Sequence, residues 1–296
     1  MTALLISPLP GNEILAERLA SHLGANIASL EIREFPDGET YLRHSGSISG
    51  QDLAIVCTLD HPNPKLVRAY LAAASARELG ARKIGLVAPY LGYMRQDKRF
   101  KPGEAVSSRY VAGLLSNSFD WVVTVDPHLH RYKSLAEIYT VPTEAAHAAP
   151  LLSKWIKENI GNPVIIGPDS ESQQWVAAVA EASGAPYTVM EKIRRGDHDV
   201  EIKFNDVSSM AGRDPVLLDD IISSDRTMLE AVRTLRTRGL RPATCLAIHG
   251  IFADDAYQAL LAAGAGIATC NTIPHTSNRI DVTGLVGDAL AAILVK

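Results

Sequence analysis

The segment Val216-Leu217-Leu218-Asp219-Asp220-Ile221-Ile222-Ser223-Ser224-Asp225-Arg226-Thr227 decides how the chain is read. Val216–Leu218 is an unbroken apolar run, the pattern of a strand covered on both faces. Two carboxylates, Asp219 and Asp220, fall at its C-terminal edge, and a short polar turn follows. From Thr227 onward, Thr227-Met228-Leu229-Glu230-Ala231-Val232 opens an amphipathic helix. A strand, an acidic pair and a polar loop at a helix N-terminus suit a phosphorylated sugar. The loop amides and helix end take the phosphate, and the carboxylates accept from ribose hydroxyls. Asp225 and Arg226 stand where such a loop favours glycine or alanine.

The same rhythm of strand and helix runs through the chain. Ala3–Ser7, Ala54–Thr58, Lys83–Ala88 and Trp121–Val125 read as short buried strands, with helices over Asn12–Leu23, Lys65–Glu78 and Ser107–Leu115. Val164–Gly167, Tyr187–Glu191, Val216–Leu218, Thr244–Ile248 and Gly266–Cys270 repeat the pattern. Continuous rather than alternating apolar strands predict an α/β fold with mainly parallel sheets flanked by helices. The 296 residues suffice for two such domains, placed at 1–142 and 143–296, with the last apolar helix, Leu285–Val295, closing either one.

Composition narrows the function classes. With 47% hydrophobic and 21% charged residues the chain can build sizeable cores. A net charge of -4 gives no general pull towards nucleic acid or acidic membranes, so anion affinity has to be local. Cys57, Cys245 and Cys270 stand singly in apolar segments, which predicts buried free thiols in a reducing, cytoplasmic compartment. No apolar run reaches membrane-spanning length.

In parallel sheets ligands gather at the C-terminal ends of strands. Polar clusters sit at five such ends: Pro89–Arg99, Asp126-Pro127-His128, Pro168-Asp169-Ser170, Lys192-Ile193-Arg194-Arg195 and the acidic pair. Taken singly, each has a plainer explanation. A basic turn is usually solvated, a lone histidine is more often structural, and Pro36-Asp37-Gly38 is a strong turn signal. His61 and His130 lack supporting neighbours and read as surface or packing residues.

Taken in order, Phe35-Pro36-Asp37-Gly38-Glu39, Pro89–Arg99, Asp126-Pro127-His128, Pro168-Asp169, Lys192-Ile193-Arg194, Asp219–Ile222 and His249-Gly250 resemble the ribose-phosphate pyrophosphokinase, or phosphoribosyl-pyrophosphate synthetase, family. Arg95–Ala105 and Asn271-Thr272-Ile273-Pro274 look most like its archaeal-type branch. The resemblance implies two phosphoribosyltransferase-like domains. It also implies transfer of diphosphate from Mg-ATP to the 1-hydroxyl of ribose 5-phosphate, with release of AMP. Lys192 and Arg194 would then be catalytic, reaching the β-phosphate from a mobile loop. Phe35, Asp37, Glu39, Arg95, Gln96, Asp97 and His128 would bind ATP, the first three from a neighbouring subunit of a dimer-based homo-oligomer. His128 and Asp169 would hold magnesium, and Asp219, Asp220, Ser223, Ser224 and Thr227 would bind ribose 5-phosphate.

The sequence departs from the family at Asp225-Arg226 and at Ser170-Glu171-Ser172, where a glycine-bearing run is usual. The ATP half is therefore better kept than the sugar-phosphate half. A diphosphokinase for another sugar phosphate, a regulatory nucleotide-binding homologue and a phosphoribosyltransferase stay open as alternatives.

Overall fold

The computed structural model describes residues 4–168, 172–194, 200–204, 211–224 and 226–295; for Gln174, residues 191–194 and 200–204, and Arg226 it describes the backbone only. Two compact units emerge: Met1–His147 with Thr283–Lys296, and Ala148–Val282.

The first unit contains β1 (Leu4–Pro8), α1 (Glu13–Leu23), β2 (Asn26–Ile27), β3 (Leu30–Glu34), β4 (Thr40–His44), β5 (Asp52–Val56), α2 (Pro62–Glu78), β6 (Lys83–Ala88), α3 (Ser107–Ser118), β7 (Trp121–Val125) and β8 (Thr143–Ala146). Six strands form one parallel sheet in the order β2-β1-β5-β6-β7-β8. Strands β5 and β7 are buried at every position, which is why they are mostly apolar, Asp52 and Thr124 excepted. The buried face of α2 consists of Leu66 and four alanines, Ala69, Ala72, Ala73 and Ala76, whose small side chains let the helix lie close to the sheet. Proline in the first turn of α2 costs no hydrogen bond, because the first amides of a helix have no intrahelical partner. Strands β3 and β4 form a separate antiparallel hairpin, with Leu30 opposite His44 and Glu34 opposite Thr40.

Gly85 on β6 lies opposite Trp121 on β7, and a Cβ at Gly85 would stand 1.9 Å from the indole ring. Only a residue without a side chain leaves room for that ring. Gly85→Ala is expected to cost about 1–3 kcal/mol of stability by overpacking. Denaturant unfolding checks this; an unchanged midpoint would mean that the ring shifts at no cost.

The second unit contains α4 (Ala149–Asn159), β9 (Pro163–Gly167), α5 (Gln173–Ser183), β10 (Tyr187–Arg194), β11 (Val200–Phe204), β12 (Asp214–Ile222), α6 (Arg226–Thr237), β13 (Thr244–Gly250), α7 (Ala256–Ala262), β14 (Gly266–Cys270) and β15 (Asn278–Ile280). Its sheet runs β11-β10-β9-β12-β13-β14-β15, parallel throughout except for the antiparallel pair β10–β11. Met228, Ala231, Val232 and Leu235 give α6 a buried stripe at helical spacing, packed with Leu217, Cys245 and Ala247.

The last helix, α8 (Thr283–Leu294), belongs to the first unit and packs on α1, β7 and β8. His22 on α1 meets Asp288 on α8 at 3.1 Å, and Gly287 makes room for the imidazole.

Candidate active site

In the first unit the Pro-Asp-Gly turn forms as its residues require. Phe35 N–H donates to Glu39 O at 2.8 Å, and Gly38 N–H donates to Phe35 O at 2.9 Å. Gly38 has a φ of 90°, a conformation that suits glycine. Asp37 Oδ1 accepts from Glu39 N–H at 3.2 Å, the local bond that favours aspartate in turns. The turn holds Phe35 out into solvent. The Arg33 guanidinium lies 4.9 Å from the Phe35 ring centroid and 4.2 Å from that of Tyr41.

Arg95, Gln96 and Asp97 lie on the loop after β6, His128 on the loop after β7, and these strands are neighbours. Arg95 is exposed and Gln96 half-buried. The Ser107 hydroxyl donates to Gln96 Oε1 at 2.8 Å, which makes the amide nitrogen the donor end offered to a ligand. Asp97 is different. Its carboxylate is buried and takes Arg131 Nη1 at 2.9 and 3.0 Å. Arg131 has no expectation attached to it in the sequence, and no local pattern pairs it with a residue 34 positions earlier.

The His128 and His130 rings stack at 3.8 Å. Before them the backbone turns sharply at Asp126, whose φ is 33°. Asp126 N–H donates to Ala146 O at 2.9 Å, and Asp126 Oδ1 meets His147 Nδ1 at 2.9 Å. Among the described residues, five non-glycine residues have left-handed φ values: His61, Tyr93, Asp126, Phe252 and Asp254. All lie in loops after the C-terminal ends of β5, β6, β7 and β13. Backbone strain of this kind gathers where a fold positions ligand-binding groups.

The second unit places the other candidates around the end of β9. That strand last pairs with β10 at Gly167 opposite Val189, and with β12 at Ile166 opposite Leu217. Both neighbours continue past it. β10 runs on to Lys192 and Arg194, paired with Ile202 and Val200 of β11. β12 runs on through Asp219 and Asp220 to Ile222, still paired with β13. Beyond β9 the backbone of Lys192 and Arg194 therefore runs on one side and that of Asp219 and Asp220 on the other, a notch one strand wide.

Two local expectations change here. Lys192 and Arg194 have strand backbone rather than loop backbone, because β11 supplies the pairing that turns this segment into a ribbon. The acidic pair lies within β12 rather than after it, because Asp219 stays opposite Ala247. The side chains of Lys192 and Arg194 lie outside the described residues, as do Asp169, Ser170, Glu171, Asp225 and the Arg226 side chain.

Asp219 and Asp220 are half-buried, and Asp219 Oδ1 accepts from Asp220 N–H at 2.8 Å. Ser223 and Ser224 link β12 to α6, and Thr227 sits in the first turn of that helix. A helix N-terminus beside two hydroxyls is suited to an anion. The donor set also suits magnesium, which takes carboxylate, phosphate and water oxygens. His249 of β13 is buried, and Thr272 fixes its tautomer. The Thr272 hydroxyl donates to Ile248 O at 2.8 Å, so it accepts the Nδ1 proton of His249 at 2.9 Å. Cys57, at the end of β5, has its thiol pushed up to about 12 by burial, which keeps it protonated and inert.

Two histidines near these loops titrate in opposite directions. The Asp126 carboxylate, through its hydrogen bond, raises His147 above the usual imidazole value of 6.5. Burial against Phe252 and Tyr257 lowers His275 below it. The His147 ion pair is therefore complete below the unfolded-state value and lost as pH rises through the folded-state one. The half-buried His275 destabilises the fold only as pH falls through the unfolded-state value. Histidine-resolved NMR titration should place the two on opposite sides of 6.5; a shared midpoint would remove the Asp126 contact.

Comparison with known proteins matches residues 4–118 to the N-terminal domain of ribose phosphate pyrophosphokinase and residues 134–265 to the phosphoribosyl transferase domain. A ribose-phosphate pyrophosphokinase of Methanopyrus kandleri is 35% identical over 279 residues, 93% of this chain and 94% of the relative. One of Saccharolobus solfataricus is 34% identical over 274 residues, covering 90% and 93% of the two chains. The crystal structure of phosphoribosylpyrophosphate synthetase from Mycobacterium smegmatis superposes with a TM-score of 0.85 at 25% identity, over 99% of both chains.

Proposed function

Because the chain belongs to the ribose-phosphate pyrophosphokinase family, with two phosphoribosyltransferase-like domains, we propose that it transfers diphosphate from Mg-ATP to the 1-hydroxyl of ribose 5-phosphate and releases AMP. The observation that carries this reading is the notch beyond β9, with Lys192 and Arg194 on one wall and Asp219 and Asp220 on the other. An acidic wall accepts from the hydroxyls of a pentose, and a basic wall takes the charge of a polyphosphate.

Phosphoryl transfer leaves little covalent work for the protein, so position and charge decide the rate. Asp219 and Asp220 orient the ribose through its 2- and 3-hydroxyls, and Ser223, Ser224 and Thr227 at the start of α6 hold the 5-phosphate. Arg95 pairs with nucleotide phosphate, while the Gln96 amide nitrogen donates to adenine. Lys192 and Arg194 stabilise negative charge as the bond between the α- and β-phosphoryl groups breaks. His128 and Asp169 would hold magnesium, whose part is to neutralise polyphosphate charge.

Phe35, Asp37 and Glu39 stand exposed on the β3–β4 hairpin, and we assign them to the adenine pocket of a second copy. Val67 and Tyr70 on α2, with Tyr110 and Leu114 on α3, are exposed apolar side chains at helical spacing that favour a dimer-based homo-oligomer. Cytoplasmic placement follows from these substrates and is consistent with three buried free cysteines. Among the described residues no helix is long and apolar enough to cross a membrane.

The deciding experiment follows AMP formation from Mg-ATP and ribose 5-phosphate, with the product trapped by a phosphoribosyltransferase. AMP should appear only with both substrates present. AMP formed with a different sugar phosphate alone would reassign the acceptor, and none with any sugar phosphate would end the reading.

A further inference from the structure

We infer that Arg131 is the positioning residue of the candidate nucleotide loop, and that Asp97 acts through it rather than on the nucleotide. This rests on the reading of Arg95, Gln96 and His128 as nucleotide-binding residues. The Asp97 side chain is 1% exposed, so its charge has to be met inside the protein. Arg131 Nη1 meets it, bonding both oxygens at 2.9 and 3.0 Å. A carboxylate closed off in this way has no accessible oxygen to offer a ligand.

The pair is one part of a larger clasp. The Tyr132 hydroxyl donates to Asp97 O at 3.2 Å and lies 3.1 Å from the Ser108 hydroxyl. Ser108 N–H donates to Gln96 O at 3.3 Å, and Ser107 holds the Gln96 side chain. Gln96 and Asp97 are thus fastened to the start of α3 and to the segment just after His128. The strand pairing of β6 with β7 does not extend to these loops, so it cannot set their spacing. The Asp97–Arg131 pair sets it together with the Tyr132 bond to Asp97 O.

Arg131→Gln, Asp97→Asn, their combination and Arg131→Lys test this by calorimetric titration with Mg-ATP. Arg131→Gln should weaken binding about tenfold, a coupling-sized effect. The Michaelis constant for ribose 5-phosphate should stay within about twofold. Adding Asp97→Asn to Arg131→Gln should cause no further loss, and Arg131→Lys should recover part of it, because one nitrogen makes both bonds. Additive losses would identify Asp97 as a direct ligand and overturn the inference, as would unchanged binding in Arg131→Gln. Should Arg131→Gln fail to fold, Arg131→Lys with and without Asp97→Asn gives the same comparison. Binding is read without turnover. A wild-type chain that binds Mg-ATP but forms no AMP would sink the proposed reaction and leave this inference standing.

Discussion

Replacing Lys192 with alanine should reduce turnover by about 10²–10³-fold, the loss seen when one preorganised donor to a transition-state charge is removed. The placement of Lys192 supports this size of effect. It lies three positions beyond Val189, the last residue of β10 that pairs with β9. At about 3.3 Å per residue, the ribbon carries it about 10 Å beyond that pairing. It stands past the sheet edge where ligands of parallel folds collect. Its interaction strengthens as charge develops on the bridging oxygen, so the loss falls on kcat. Mg-ATP affinity should be nearly unchanged, because other groups hold the ground-state nucleotide. Single-turnover kinetics with direct nucleotide titration separate the two quantities. An equal loss in both would make Lys192 a ground-state binding residue.

Asp220→Asn should lower kcat/KM for ribose 5-phosphate by about 10- to 100-fold, the range for one hydrogen bond to a charged group. The same substitution at Asp219 should cost more in stability. Asp219 is held in the ladder opposite Ala247 and accepts from the Asp220 amide, so part of its work is local. Asparagine keeps the size of the side chain but gives up the charge and one acceptor oxygen. The Michaelis constant for Mg-ATP serves as the control. If it rises while that for the sugar stays constant, the acidic wall serves the metal–nucleotide complex instead.

The parallel sheets were legible in the sequence because a strand covered on both faces is largely apolar, as residues 53–56 of β5 and 121–123 of β7 are. The loops that carry Arg95 and His128 were legible for a related reason. Each begins where an apolar run ends. The β3–β4 hairpin was not read as strands, because its partly exposed residues lack a long apolar run. The continuation of β10 past Glu191 was hidden as well, since the antiparallel partner that makes it a strand is a separate segment.

What the sequence determined by itself was the class of fold, the order of the ligand loops and the chemistry available in each, all of which depend on residues near one another in the chain. The tertiary structure decided which loops work together. It placed Lys192 and Asp220 on either side of a strand that stops early, because register is a property of paired strands. It also closed Asp97 onto Arg131, because a buried carboxylate takes its partner from whatever the fold brings near, at any distance along the chain.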